Sequence, residues 1–537
     1  MLDVRLVNAN IITMDPDHPR AHQVGLWRGR IMALDDAAAA LPASQVVDLQ
    51  AATVLPGFID AHVHLAWTGL RARSASVAAC QRAEAVLAVI SAAARDRPPG
   101  SWVDVVGYDQ RRLGRHLSAT ELDTVSTDHK LFLVHDSGHA CVVNSAVLDL
   151  LPAGVSHDNG MLAERGMAAV RALRQPYPVD ELVDAIDDAT RACLAEGVTA
   201  CAEAGIGAGL ISHSPIELAA YQQALAQGRL PLRVQLMVAA DLLHPVGAHP
   251  RDGVPRGLDL GLRTGFGGDW LSIGALKVFT DGGMMARTAA LTSPYCGLEH
   301  CGTLYDEAES LMSLITDGHR AGWQLAIHAI GDRAVQVALA GLERAQQLYP
   351  RPRARHRIEH AGLVRPDQLT RFARVGAIAV VQPNFLWYLG DDYAAIVGAD
   401  RAGWLYRGRG FLEHGVMLVG SSDRPVTPGA PLRAIQVMVQ RATEAGAIIG
   451  SGEGIGVDDA LCAYTTNAAF ACHRESELGS ITPGKHADLV VLTDDPRYTD
   501  ISKIADIGIV ATVVAGDVAH GAELFATSYA EQAPLMT

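Results

Sequence analysis

Short apolar runs recur along this chain in two different settings. Up to residue 55 they are brief and alternating, as in Val4-Arg5-Leu6-Val7, Gln23 to Trp27 and Arg30 to Leu34, with Gly29 suited to a tight turn between the last two. The same texture returns in Ala487 to Leu492 and Ile509 to Gly516. Between these ends, apolar runs at 58–64, 199–204, 233–238, 273–279, 325–328, 357–360, 377–381 and 416–420 are separated by stretches of helical composition such as 307–321 and 334–348. Strands alternating with helices predict a parallel sheet. The two β-rich ends predict one small β-sandwich domain built from residues 1–55 and 480–527, flanking a central domain of residues 56–479. After the first central strand comes an unusually long connection, about 66–190, with strand-like runs of its own at 102–107 and 131–135. A connection of that length normally carries function, and it reads as an inserted subdomain over the mouth of the central domain.

The polar residues that interrupt this pattern stand at strand ends. Leu55-Pro56-Gly57-Phe58-Ile59-Asp60-Ala61-His62-Val63-His64-Leu65 closes on two histidines spaced i, i+2, which a strand presents on one face while Val63 turns into packing. Two converging imidazoles make the first half of a metal site. Further runs end in His328, in Glu359-His360 and in Gly420-Ser421-Ser422-Asp423, and Lys277 sits inside an otherwise apolar strand. Each has a plainer reading. Most of the 21 histidines are expected to be packed or on the surface, Lys277 could snorkel or pair with Asp281, and Asp423 could cap a helix. Their common position at strand C-terminal ends is nevertheless what a (β/α)8 TIM-type barrel requires, since its active site is built on that face.

This ordered set, His-X-His, Lys, His, His, Asp, resembles the amidohydrolase superfamily. The segments Lys277 to Gly282, Ile327 to Ala334, Arg357 to Ala361 and Gly479 to Leu492 resemble its branch of N-substituted formamide deformylases and YtcJ-like proteins. The resemblance runs from about residue 4 to residue 515. It implies an α/β barrel with a composite terminal β-sandwich, and a divalent metal cofactor, zinc foremost, with one or two ions per chain. His62, His64 and Asp423 are the expected ligands of the more buried ion, and His328 and His360 those of a second. Burial would drive the Lys277 amine towards neutrality, and a neutral amine can add carbon dioxide to become a carbamate bridging two ions. Asp423 is also the expected catalytic base and then acid. His139, in a segment that resembles the family's Asp-Gly-His…Asn-Ser element but carries Ser137, is a candidate substrate or oxyanion contact. Tyr108, Asp109 and Arg287 match positions that often face the cavity. Glu203, at a strand end, is expected to contact the metal or one of its histidines. Asp332 is expected to cap the helix after His328.

Composition narrows the function class. Hydrophobic residues are 49% and charged ones 19% of 537, which suits a compact soluble enzyme. A net charge of −15 argues against a nucleic-acid partner. No stretch is long enough to cross a bilayer, and the N-terminus does not read as a signal peptide. The eight cysteines are scattered, and Cys296 and Cys301 have no companion pair, so a cytoplasmic protein with reduced thiols is expected. The expected partner is a small-molecule amide, and a homodimer is the form common among such enzymes. The leading reaction is hydrolysis of an exocyclic amide C–N bond, in an N-substituted formamide or another N-acyl amine. The same centre could open a cyclic amide or deaminate a heterocycle. A non-catalytic regulatory or binding protein could inherit the fold, but the intact ligand set speaks against it.

Overall fold

The computed structural model describes residues 1–135, 140–163, 165–209 and 211–523. They form two compact units: Met1–Leu65, Thr190–Ser212 and Tyr221 onward make the first, and Ala66–Ala189 with His213–Ala220 the second.

The first unit is organised by eight parallel strands that neighbour one another in chain order: β1 Phe58–Val63, β2 Val198–Ile206, β3 Arg233–Ala239, β4 Leu271–Phe279, β5 Leu325–Ala329, β6 Arg357–His360, β7 Ile378–Val381 and β8 Leu418–Gly420. The expected runs coincide with these strands to within one or two residues. The largest trim is at β8, where the Val416 amide turns back to the Phe411 carbonyl instead of joining the sheet. Strands buried on both faces need near-continuous apolar sequence, and all nine residues of β2 are buried. Closure comes just past the strand ends: the Asp423 amide donates to the His62 carbonyl at 2.8 Å and the His64 amide to the Arg424 carbonyl at 2.9 Å. The chain therefore forms the expected TIM-type barrel, with Asp423 laid beside the paired histidines by backbone hydrogen bonds.

Helices α1 (Ala308–Arg320) and α2 (Asp332–Leu348) flank β5, and α2 buries Val335, Ala338, Leu342 and Ala345 at helical spacing. Asp332 does not cap α2. Gly331 occupies the cap position, and Asp332 is the first helical residue, accepting from the Thr292 amide at 2.9 Å and from Arg365 at 3.1 Å. Its carboxylate pins two loops.

Strands from both ends of the chain share one six-stranded sheet, in which Thr53–Pro56 pairs antiparallel with Leu489–Leu492. A four-stranded sheet from Leu2–Val7, Val24–Trp27, Arg30–Leu34 and Ala43–Asp48 packs on it through Leu6, Val24, Val54, Leu489 and Val513. The second unit holds a five-stranded mixed sheet around Val86, Ile90, Val105 and Leu131. It is not one continuous insertion, because residues 213–220 fold with it, and the Tyr177 amide binds the His213 carbonyl at 3.0 Å. Among the described residues no helix is long and apolar enough to cross a membrane.

Candidate active site

At the C-terminal ends of β1, β4, β5, β6 and β8 the structure brings His62, His64, Lys277, His328, His360 and Asp423 into one buried group. Asp423 Oδ1 lies 3.0 Å from His64 Nε2 and 3.4 Å from His62 Nε2, and ligand atoms of these three all fall within 4.8 Å of one another. Lys277 Nζ is 3.3 Å from His62 Nε2. The His360 ring lies 5.0 Å from that of His62 and 4.4 Å from that of His328, completing a continuous chain of imidazoles.

Hydrogen bonds behind the rings decide which nitrogens face inward. His62 donates from Nδ1 to Glu359 Oε2 at 2.6 Å, which leaves its Nε2 lone pair towards Asp423 and Lys277. His360 donates from Nδ1 to the Gln382 amide oxygen at 2.8 Å, and Gln382 is fixed in turn by donating to Ser421 Oγ. His328 donates from Nε2 to the Gly282 carbonyl at 3.3 Å, leaving Nδ1 as its free lone pair. Glu359 is itself clamped by Arg357, and both side chains are fully buried. Burial alone would raise the Glu359 carboxyl, but the Arg357 guanidinium and the His62 hydrogen bond hold it far below the usual carboxylate range.

Such an arrangement suits a cation. Asp423 Oδ1 accepts no hydrogen bond of normal geometry although two imidazoles adjoin it. Burial would raise its carboxyl, yet the adjoining His62 and His64 rings hold it well below the ordinary value, so it stays ionised. Burial lowers the Lys277 amine to about 8, against the pull of Glu359 and Asp423. Burial likewise lowers His360 to about 3, which keeps its ring neutral. Asp423 and Glu203 raise His64 to about 9 against its burial, so that ring would shed a proton on taking up a cation; deprotonated imidazoles with one carboxylate are the donor set of zinc and related divalent ions. The backbone is strained at the same place, with φ of 68° at His360, 42° at Ala361 and 55° at Asp423, all in the left-handed region that side chains disfavour. A second grouping, Asp269, Glu477 and His486, offers no comparable centre, because Arg474 already lies 2.6 Å from Glu477 and 3.6 Å from Asp269.

The remaining sequence candidates are distributed differently. Glu203 accepts from the Leu65 amide and the Tyr221 hydroxyl, each at 2.6 Å, and lies 3.7 Å from His64 Nδ1. Arg287 is exposed, on the loop after β4. Tyr108 and Asp109 belong to the second unit and are engaged there: Tyr108 accepts from the Leu117 amide, and Asp109 caps the turn Gln110–Leu113 and binds Arg111. His139 lies outside the described residues. Sequence reasoning gave no role to Glu359, Arg357 or Gln382. The first two had a signal, since an arginine and a glutamate two apart on a buried strand share a face and must pair.

A sequence profile described as the amidohydrolase family matches residues 45–520. The N-substituted formamide deformylase of Arthrobacter pascens is 29% identical across 96% of this chain and 98% of its own. The YtcJ protein of Bacillus subtilis (strain 168) is 27% identical across 89% of this chain and 91% of its own. Among solved structures, an uncharacterised metal-dependent hydrolase of Pyrococcus horikoshii OT3 superposes with a TM-score of 0.78 at 26% identity, covering 93% of this chain and 99% of that one.

Proposed function

The chain belongs to the amidohydrolase family and is thus a hydrolase of carbon–nitrogen bonds other than peptide bonds; on that premise we propose that it cleaves the exocyclic amide of a small N-acyl amine, an N-substituted formamide being the first substrate to try. The observation that carries this reading is the meeting of Asp423, His62 and His64, residues some 360 positions apart in the chain, within 4.8 Å. The deformylase, similar over nearly its full length, supports the choice of substrate.

In this reading His62, His64 and Asp423 hold one divalent ion, zinc foremost, and His328 and His360 a second. When bound, such ions polarise a carbonyl and make water acidic near neutral pH. Lys277, its amine lowered by burial, would in its neutral form add carbon dioxide through the nitrogen lone pair and release a proton, giving a carbamate whose oxygens could serve as further ligands. Asp423 takes a proton from the attacking water and returns it to the departing nitrogen, whose leaving ability depends on that proton. Glu203 steadies His64 from behind. All eight cysteines are free thiols, which fits work in a reducing, cytoplasmic compartment.

The test is a panel of N-substituted formamides, longer acyl amines, lactams and aminopurines given to the zinc-loaded protein, with amine, carboxylate and ammonia measured. Release of amine and formate in equal amounts is the expected result. Ring opening or ammonia release alone would move the assignment to the cyclic amidases or the deaminases, and an inert panel would leave a binding protein.

A further inference from the structure

An aromatic surface leads outward from the imidazole cluster at His328. Among the six clustered residues His328 is the least covered, 8% exposed against 5% for His64 and Asp423, 3% for His360 and 1% for His62 and Lys277. Phe279 follows Lys277 by two residues on β4, so both side chains leave the strand on one face. Its ring lies 5.0 Å from that of His328 and 5.0 Å from Lys277 Nζ. The Tyr305 ring tilts against that of Phe279 at 6.3 Å, and Tyr305 is 50% exposed. Exposure therefore rises in one direction, from His328 through the half-buried Phe279 to Tyr305.

Backbone bonds fix this surface. The Thr280 amide and hydroxyl both donate to the His328 carbonyl, at 3.2 and 2.5 Å, and the Tyr305 amide donates to the Thr280 carbonyl at 3.0 Å. Leu304 bridges to Asp281, whose carboxylate accepts from the Ala290, Ile330 and Gly331 amides at 2.9, 3.1 and 2.8 Å. The loops after β4 and β5 are thus tied together, and the two rings need no ordering when a ligand arrives. Ligand sites combine a few fixed polar groups with aromatic walls of this kind.

Resting on the amide-hydrolase reading above, we propose that Phe279 and Tyr305 form the subsite for the substituent of the amide and select a planar apolar one, an aromatic ring. His328 and Lys277 take up the inner side of Phe279, so the choice rests chiefly on Tyr305. A short alkyl group would cover less of the two rings, and a charged one would give up water against apolar carbon.

The zinc-loaded protein tests this with N-phenethylformamide and N-ethylformamide, which differ by one phenyl ring. Wild type should favour the first by at least about 10-fold in kcat/KM. Tyr305→Ala should raise KM for N-phenethylformamide about 10-fold with kcat little changed, and leave N-ethylformamide within about 2-fold. Tyr305→Phe keeps the ring and should match wild type. Zinc content and melting midpoint should hold in both variants, because the ring is half in water. If wild type turns over no amide, the amide reading fails, and calorimetry with 3-phenylpropionohydroxamate and propionohydroxamate decides the ring surface without it. The phenyl probe should bind wild type and Tyr305→Phe about 10-fold more tightly than its partner, and Tyr305→Ala no more tightly. Equal kcat/KM for the two amides in wild type, an equal loss of both in Tyr305→Ala, loss of zinc from that variant, no advantage for the phenyl probe, or no binding of either probe would overturn the proposal.

Discussion

At the scale of single residues, the site works by giving similar groups different surroundings. Asp423 and Glu359 are both buried carboxylates, but one faces open-sided imidazole nitrogens and the other is locked between Arg357 and His62. Their removal should therefore fail differently. Asp423→Asn keeps shape but removes the proposed base, and turnover should drop at least about 100-fold in a folded protein, read by steady-state kinetics beside circular dichroism. Glu359→Gln keeps an acceptor for Arg357 but not its counter-charge, so it should lower the melting midpoint less than the alanine variant does, and weaken zinc binding about 10- to 100-fold in equilibrium dialysis, because the His62 ring loses its carboxylate anchor. Glu359→Ala should instead cost about 3–5 kcal/mol of stability, since Arg357 is left as an unpaired buried charge. A Glu359→Gln protein with wild-type zinc affinity would show that the glutamate serves only the arginine.

Between elements, a second histidine pair does purely structural work at the opposite ends of the strands. The Leu325 amide donates to His356 Nδ1 at 3.0 Å, His356 Nε2 donates to His319 Nδ1 at 2.7 Å, and His319 Nε2 donates to the Tyr349 carbonyl at 2.6 Å. This relay joins the end of α1, the residue after α2 and the entries to β5 and β6. All four ring nitrogens are used with one proton per ring, so an added proton finds no acceptor. Burial lowers both histidines, His356 far below 6.5; the nearby charge of Arg351 adds to this at both, and those of His319 and His473 when protonated add to it at His356. The unfolded chain takes up these protons below about pH 6.5 while the folded one resists, so the stabilisation is complete above that pH and lost as pH falls through it. The apparent melting midpoint should decline on acidification below that point, and less steeply in His319→Gln. An equal acid slope in both proteins would place the sensitivity elsewhere.

Over the whole molecule, the terminal sheets are tied into the barrel by charge as well as by apolar packing. Arg233, the first residue of β3, is held by Asp488 at 2.6 and 3.1 Å, and both are buried. Asp488 sits just before Leu489–Leu492, the strand that pairs with Thr53–Pro56 immediately ahead of β1. Loss of that carboxylate strands the guanidinium in the interior. Asp488→Ala should cost about 3–5 kcal/mol, seen as a lower melting midpoint, while kcat of the protein that remains folded stays near wild type. A large fall in kcat at temperatures well below melting would mean that the terminal sheets shape the site directly.

The sequence by itself determined the eight strands, because a strand buried on both faces demands an apolar run and a helix between such runs has its own period. It also determined which residues could meet, since His62, His64, Lys277, His328, His360 and Asp423 all interrupt or end such runs. What only the tertiary structure decided lies in the directions of bonds that no local pattern encodes. Gly331, and not Asp332, caps α2, Gln382 reaches across to orient His360, and a glutamate from β6 selects the inward nitrogen of a histidine on β1. Residues 213–220 also join a unit otherwise made of residues 66–189. A hydrogen bond between residues 297 positions apart depends on barrel closure, and closure is a property of the whole sheet rather than of either segment.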